Sequence, residues 1–218
     1  RRAGIPVGYT QGFNPKPRQE FAQPLSLGLS SVSEYALVSV SEFIQAESFC
    51  EHMNRSLPAG VRVVDAVLLE EHEKKVPSLM SSYWGADYEL DLAGADVAGD
   101  ELVSALSAAT GVVDVGGEES RLWVRIAHLG GQARGLKKVL TAALGGDPAA
   151  FGLSVTRTQT LASGTDGEPV SYFEAYRASK AGAAPQAAAT REAGPPSAAV
   201  AQGNASAPSD DGGRASEV

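Results

Sequence analysis

The segments Val112-Val113-Asp114-Val115-Gly116-Gly117 and Arg121-Leu122-Trp123-Val124-Arg125-Ile126-Ala127 read as the two arms of a β-hairpin. In the second arm Leu122, Val124 and Ile126 alternate with Arg121, Trp123 and Arg125, the period-two pattern of a strand with one buried face. Gly116-Gly117 supplies turn residues. A helical stripe flanks the hairpin on each side. Leu102, Val103 and Leu106 share one face of Asp100 to Ala109, with Gly99 or Asp100 as cap. Leu136, Val139, Leu140, Ala143 and Leu144 form the other stripe, stopped by Gly145-Gly146. Strand-like segments at Tyr88 to Leu92 and Leu153 to Leu161 stand outermost. The order is βαββαβ, the ferredoxin-like arrangement.

The first half repeats part of this order. Residues 18–29 read as an extended segment broken by Pro24 and Gly28, and Tyr35 to Ser41 as a strand with β-branched Val38 and Val40. Phe49, Met53 and Leu57 fall four apart, on one helix face, and Pro58-Ala59-Gly60 ends that helix. Val61 to Leu69 is a further strand. The boundary between the halves falls at 76–86, around Val76-Pro77-Ser78. The halves share a pattern without residue identity.

Composition bounds the rest. Hydrophobic residues make up 43% of the 218, enough for a core. They are unevenly spread: from Ser163 the chain is rich in Ala, Gly, Ser and Pro, which cannot bury enough apolar surface to offset ordering entropy. Residues 163–218 therefore read as a disordered tail. Its aromatic cluster, Tyr172-Phe173-Glu174-Ala175-Tyr176, is suited to transient docking. The single cysteine, Cys50, excludes an internal disulfide and reads as a small buried hydrophobe on a helix. No signal peptide and no apolar run of membrane-spanning length occurs, so no membrane association and a cytoplasmic location are expected. The chain starts with Arg rather than Met, as expected of a fragment or processed protein.

Catalytic motifs are absent. There is no phosphate-binding G-x-x-x-x-G-K-[ST] loop, no G-x-G-x-x-G fingerprint and no G-x-S-x-G elbow. The run Glu70-Glu71-His72-Glu73-Lys74-Lys75 points its side chains in several directions, as a solvated linker does. His52 and His128 have no second ligand at metal spacing. The chain leans away from being an enzyme, and no metal or catalytic residue is assigned. Trp123 faces away from the apolar side of its strand, and Tyr83 and Trp84 fall in the interdomain segment, where they read as interface seals. Arg134, Lys137 and Lys138 form a small basic patch, and Arg157 lies on the last strand.

Tyr9-Thr10-Gln11-Gly12-Phe13-Asn14-Pro15-Lys16-Pro17-Arg18 reads as a rigid loop. Gly12 reaches backbone angles closed to other residues, while Pro15 and Pro17 fix their own φ and extend Asn14 and Lys16. Lys16 and Arg18, with Arg1 and Arg2, precede the first acidic residue, Glu20, in a chain of net charge -8. A basic loop with Tyr9 and Phe13 beside it suits a phosphate or a single-stranded nucleic acid. The plainer alternative is a structural turn with ordinary surface charge.

Arg1-Arg2-Ala3-Gly4-Ile5-Pro6 and Tyr9-Thr10-Gln11-Gly12-Phe13-Asn14-Pro15-Lys16-Pro17-Arg18 resemble the opening of the bacterial radical SAM-linked protein family, as do Phe21-Ala22-Gln23-Pro24-Leu25-Ser26-Leu27-Gly28-Leu29 and Ser33-Glu34-Tyr35. The resemblance spans roughly 1–162 and is strongest over 1–40. It implies that a strand and most of a helix precede Arg1-Arg2-Ala3-Gly4, with a Ser-His-Leu-Asp segment this sequence lacks. Lys16 is often His or Arg in that family. With those two elements the first half also becomes βαββαβ. The expected fold class is then α+β: two tandem ferredoxin-like units, the first (1–76) clipped at its N-terminus and the second over 87–162, plus the tail. The clipped unit, with an open sheet edge, is expected to be unstable alone.

The family implies an accessory domain fused to or beside a radical SAM protein. An iron–sulfur cluster and S-adenosylmethionine are expected only on that partner, since one cysteine cannot hold a cluster. In this reading Tyr9, Gln11, Gly12, Phe13, Asn14, Lys16, Arg18 and Arg2 form a phosphate-contacting loop that binds RNA or tRNA, or another substrate, for the partner. The alternative is a protein–protein docking domain for the radical SAM enzyme with no nucleic acid. A third reading is an incomplete hydrolase or nuclease completed by the absent His and Asp.

Overall fold

The structure, a computed structural model, describes residues 2–69, 78–118, 120–128, 135–181 and 198–205. The second half folds as the hairpin pattern requires. Strand β4 (Tyr83–Asp91) leads through helix α2 (Gly99–Ser107) to the hairpin β5 (Val112–Glu118) and β6 (Arg121–Ala127), then through α3 (Leu136–Leu144) to β7 (Ser154–Ser163). Spatial order is β7-β4-β6-β5 with every neighbour antiparallel, the ferredoxin-like order of fourth, first, third and second strands. Leu90, Leu102, Leu106, Leu122, Val124, Leu136, Leu140 and Val155 pack together beneath α2 and α3. The hairpin needs glycine for a physical reason: Gly117 has φ 138°, and a Cβ there would lie 2.3 Å from the carbonyl oxygen of Arg121.

The first half contains β1 (Gln19–Phe21), β2 (Ser30–Ser39), α1 (Ala46–Asn54) and β3 (Val61–Leu69). Beyond β7 follow β8 (Pro169–Ser171), α4 (Tyr172–Ala181) and β9 (Ala198–Ala205). Strand β9 lies between β2 and β3, and β1 pairs with β2. Parallel pairing of Ser30 with Thr156 and Ser31 with Arg157 joins the halves into one nine-stranded mixed sheet. The fold is α+β, with βαββ order recurring along the chain. On one face of the first half Val40, Phe49, Val63 and Ala66 pack under α1. On the other, Tyr35 and Leu69 pack with Tyr172, Phe173 and Tyr176 of α4.

Two expectations change. Tyr83 and Trp84 are not linker residues but open β4, which extends five residues before the expected start at Tyr88. Gly85 makes this possible, because a Cβ there would sit 2.1 Å from the carbonyl oxygen of Ile126. Nor does folded structure stop at 163. Tyr172 is completely buried, its hydroxyl donates to the Leu79 carbonyl at 2.7 Å, and its ring lies 4.9 Å from that of Tyr35. Average composition hid this, because three aromatic side chains anchor an otherwise small-residue segment. Ser171 and Glu174 form a reciprocal capping box that starts α4. Residues 182–197 and 206–218 of the expected tail lie outside the described residues, as does the Glu70–Lys75 run.

Candidate functional site

The 9–18 segment is a hairpin tip clamped to β2. Val7 bridges to Val40 and Tyr9 to Pro17. The Gly8 amide donates to the Ser39 carbonyl at 2.8 Å, the Arg18 amide to Gly8 at 2.8 Å, and the Ser39 amide to Arg18 at 2.9 Å. At the tip the Thr10 amide donates to the Lys16 carbonyl (2.8 Å), and the Thr10 hydroxyl accepts from the Lys16 amide (3.0 Å). Gly12 adopts φ 123°, as its place in the turn demands. The ladder fixes the base while residues 11–15 project into solvent.

Phe13 is fully exposed and Tyr9 is 40% exposed. Gln11, Asn14, Lys16 and Arg18 are exposed on the same hairpin, and Arg2 is exposed just before the buried Ile5. Among the described residues, neither Arg2, Lys16 nor Arg18 takes part in an ion pair. The hairpin thus brings Tyr9, Gln11, Gly12, Phe13, Asn14, Lys16 and Arg18 together; Arg1 lies outside the described residues. The other basic hint is different. Lys137 is held by Asp147 at 2.9 Å and by the Leu27 carbonyl at 3.0 Å, so it braces the fold, and Arg134 lies outside the described residues.

A second polar centre lies where the halves meet. Arg157 is buried and donates through Nε to Glu34 Oε1 at 3.0 Å, through Nη2 to the same oxygen, and through Nη1 to the Gln23 carbonyl at 3.0 Å. Tyr88 and Tyr83 lie beside this pair, and burial raises both phenols above their ordinary range. The His128 ring is 5.8 Å from that of Tyr83, and its buried Nδ1 has no partner among the described residues. Sequence reading placed Arg157 on a strand and missed its partner, which lies 123 residues away.

Two other surfaces complete the picture. A cleft of about 500 Å³ next to α4 is lined by Ser33, Tyr35, Asp65, Thr160, Glu174 and Arg177, among others. On the sheet face opposite α2 and α3, Asp87, Glu89, Asp91, Asp114 and Glu118 outnumber Arg121 and Arg125. Asp87 grips Arg125 with two bonds of 2.7 and 2.8 Å, and Glu89 pairs with Arg121 at 3.5 Å. Trp123 is 47% exposed there, its ring lying over Gly116, where a Cβ would come within 2.8 Å. Among the described residues no three His, Cys, Asp or Glu side chains converge as a metal site, and no helix is long and apolar enough to cross a membrane. Cys50 is half-buried, and desolvation raises its thiol above the ordinary range.

Residues 1–128 match the family described as an uncharacterized protein conserved in bacteria, DUF2344. The chain belongs to the DUF2344 family. The match takes in the hairpin and β1 to β6; α3, β7 and α4 lie beyond it. No curated protein and no solved structure matches this DUF2344 chain.

Proposed function

We propose that this DUF2344 chain is an accessory domain whose 9–18 hairpin contacts RNA or tRNA, or another phosphate-bearing substrate, for a radical SAM partner fused to it or encoded beside it. The observation that carries the reading is Phe13, fully exposed on a hairpin that also presents Lys16 and Arg18. An exposed phenyl ring costs solvation and serves as a stacking platform for a base. Lys16 and Arg18 supply phosphate contacts, with Tyr9 as a second aromatic face and Arg2 as added charge. Gly12 sets the turn, and Gln11 and Asn14 offer hydrogen bonds beside it. The cluster and S-adenosylmethionine belong to the partner in this reading.

The carboxylate-rich face around Trp123 repels phosphate, which confines nucleic acid to the hairpin side. The same face supports the second reading, a docking surface for the partner protein, with Trp123 as its aromatic anchor. Crosslinking and RNA sequencing in cells distinguishes the two. Specific RNAs lost in the Lys16→Glu/Arg18→Glu variant are expected. No enrichment over background, together with a nuclease-insensitive complex with a radical SAM protein, assigns the chain to docking.

A further inference from the structure

The sheet face of the second half that α2 and α3 leave uncovered is built in three rows across β5, β6 and β4. The middle row sets Gly116 and Glu89 on either side of Trp123. The outer rows set Asp114 and Asp87 about Arg125, and Glu118 and Asp91 about Arg121. Directly opposite residues of an antiparallel pair share a face and lie close enough to interact, so each cation of β6 stands between two carboxylates. Asp87 takes Arg125 with two bonds, and Glu89 takes Arg121 at 3.5 Å. Asp91, Asp114 and Glu118 are exposed and take part in no ion pair among the described residues. Opposite Glu89 and Asp91, β7 adds the hydroxyls of Thr156 and Ser154 and no cation. Five carboxylates against two guanidinium groups leave the face negative.

Trp123 stands at the centre of this charge, 47% exposed. Its ring lies over Gly116, where a Cβ would come within 2.8 Å of it. Glycine inside a strand marks a close approach, and here it lets the indole settle on bare backbone. One side of the ring is seated and the other is open. Indole attracts a cation more strongly than the other aromatic rings do. The Glu89 carboxylate opposite it is held only by the 3.5 Å contact with Arg121. Arginine fits this pair better than lysine, because its planar guanidinium stacks on an aromatic face while its fork takes a carboxylate. Side chains on one face of an extended segment repeat every ~7 Å. Arginines at alternate positions, on either side of the one over Trp123, therefore reach toward the unpaired carboxylates of the outer rows.

We propose that this face binds an extended, arginine-bearing segment of a partner protein, with one guanidinium on Trp123 and Glu89 and its neighbours on Asp91, Asp114 and Glu118. The charge of the face, opposite in sign to the segment, selects this occupant over an acidic or an apolar one. The inference rests on the docking reading of the face and names the chemistry of the partner; it asks nothing of the 9–18 hairpin.

The test is fluorescence anisotropy of the full chain with labelled Gly-Arg-Ser-Arg-Ser-Arg-Gly, beside its counterpart Gly-Lys-Ser-Lys-Ser-Lys-Gly, at about 50 mM salt, where surface charge is weakly screened. The arginine peptide is expected to bind at least about fivefold more tightly than the lysine peptide. Trp123→Leu, which keeps apolar bulk over Gly116, is expected to weaken it at least about fivefold. Asp114→Asn/Glu118→Gln is expected to weaken it and flatten its salt dependence, while Lys16→Ala/Arg18→Ala in the hairpin leaves it within about twofold. In the unaltered chain the indole N–H resonance of Trp123 is expected to shift on titration while that of Trp84 stays, a readout that decides even if Trp123→Leu does not fold. Equal binding of the two peptides, or a Trp123 resonance that does not move, overturns the proposal. Self-association that is lost in Trp123→Leu, with no peptide bound, gives the face to a second copy and also overturns it. The docking reading is measured separately, in the nuclease-insensitive complex with a radical SAM protein. A complex lost in Trp123→Leu while neither peptide binds the parent leaves docking standing and overturns the arginine segment. A complex that survives Trp123→Leu while arginine-peptide binding is lost does the reverse.

Discussion

Arg157 on β7 closes on Glu34 of β2, burying a guanidinium at the seam where the two halves of the sheet meet. The pairing explains how the two units hold one register across a short parallel junction: only Ser30–Thr156 and Ser31–Arg157 pair as strands there, and the side chains extend the seam. Removing one partner of a buried pair leaves an uncompensated group, at a cost of about 3 kcal/mol. Glu34→Ala is expected to lose about that much in urea denaturation, because it leaves the buried guanidinium without its anion, and Arg157→Leu less, because the Glu34 it leaves behind is partly solvated. Equal effects of the two would contradict this account of the seam.

Gly85 tests the extension of β4. A methyl group there meets the Ile126 carbonyl at 2.1 Å, so the backbone must move. Gly85→Ala is expected to destabilise by at least about 2 kcal/mol, in the range of overpacking. Gly94→Ala, at φ 79° with nothing within 4 Å, is expected to cost about 1 kcal/mol from strain alone. Thermal unfolding of both variants measures the difference.

Tyr172 tests whether the segment after 163 belongs to the core. Tyr172→Phe removes only the bond to the Leu79 carbonyl, for about 1 kcal/mol. Tyr172→Ala opens a cavity among Tyr35, Leu79 and Phe173 and is expected to cost about 3–5 kcal/mol. A null effect of Tyr172→Ala would return α4 to the tail.

The capping box gives a pH signature. The Ser171 amide and, next, its hydroxyl hold the Glu174 carboxyl below its ordinary range. A carboxyl whose folded value is depressed stabilises the fold above its unfolded value and loses that contribution as pH falls through the folded one. Glu174→Gln is therefore expected to be less stable than the parent at neutral pH, by less than about 1 kcal/mol because the site is exposed. The gap should shrink as pH falls through and below the carboxylate range. A gap that persists in acid would mean packing rather than charge.

Local pattern carried much of the architecture. The alternation of Leu122, Val124 and Ile126 and the stripe from Leu136 to Leu144 place β6 and α3 within the bounds observed, because both faces of each element differ sharply in polarity. The hairpin cluster from Tyr9 to Arg18 was legible for the same reason: its prolines and glycine act locally. Arg157 with Glu34, α4 on Tyr35, and β9 between β2 and β3 were not. Each depends on partners more than a hundred residues apart, and for α4 and β9 the local composition points the other way.

The central claim is that the hairpin binds nucleic acid, and a salt series tests it most directly. Fluorescence anisotropy of the full chain with a single-stranded RNA, from about 50 to 200 mM salt, should show affinity falling steeply with salt. Lys16→Glu/Arg18→Glu should weaken binding at least tenfold and flatten the slope by about two phosphate contacts, while Phe13→Ala should weaken binding with the slope unchanged. Identical curves for the parent and the double variant would contradict the account.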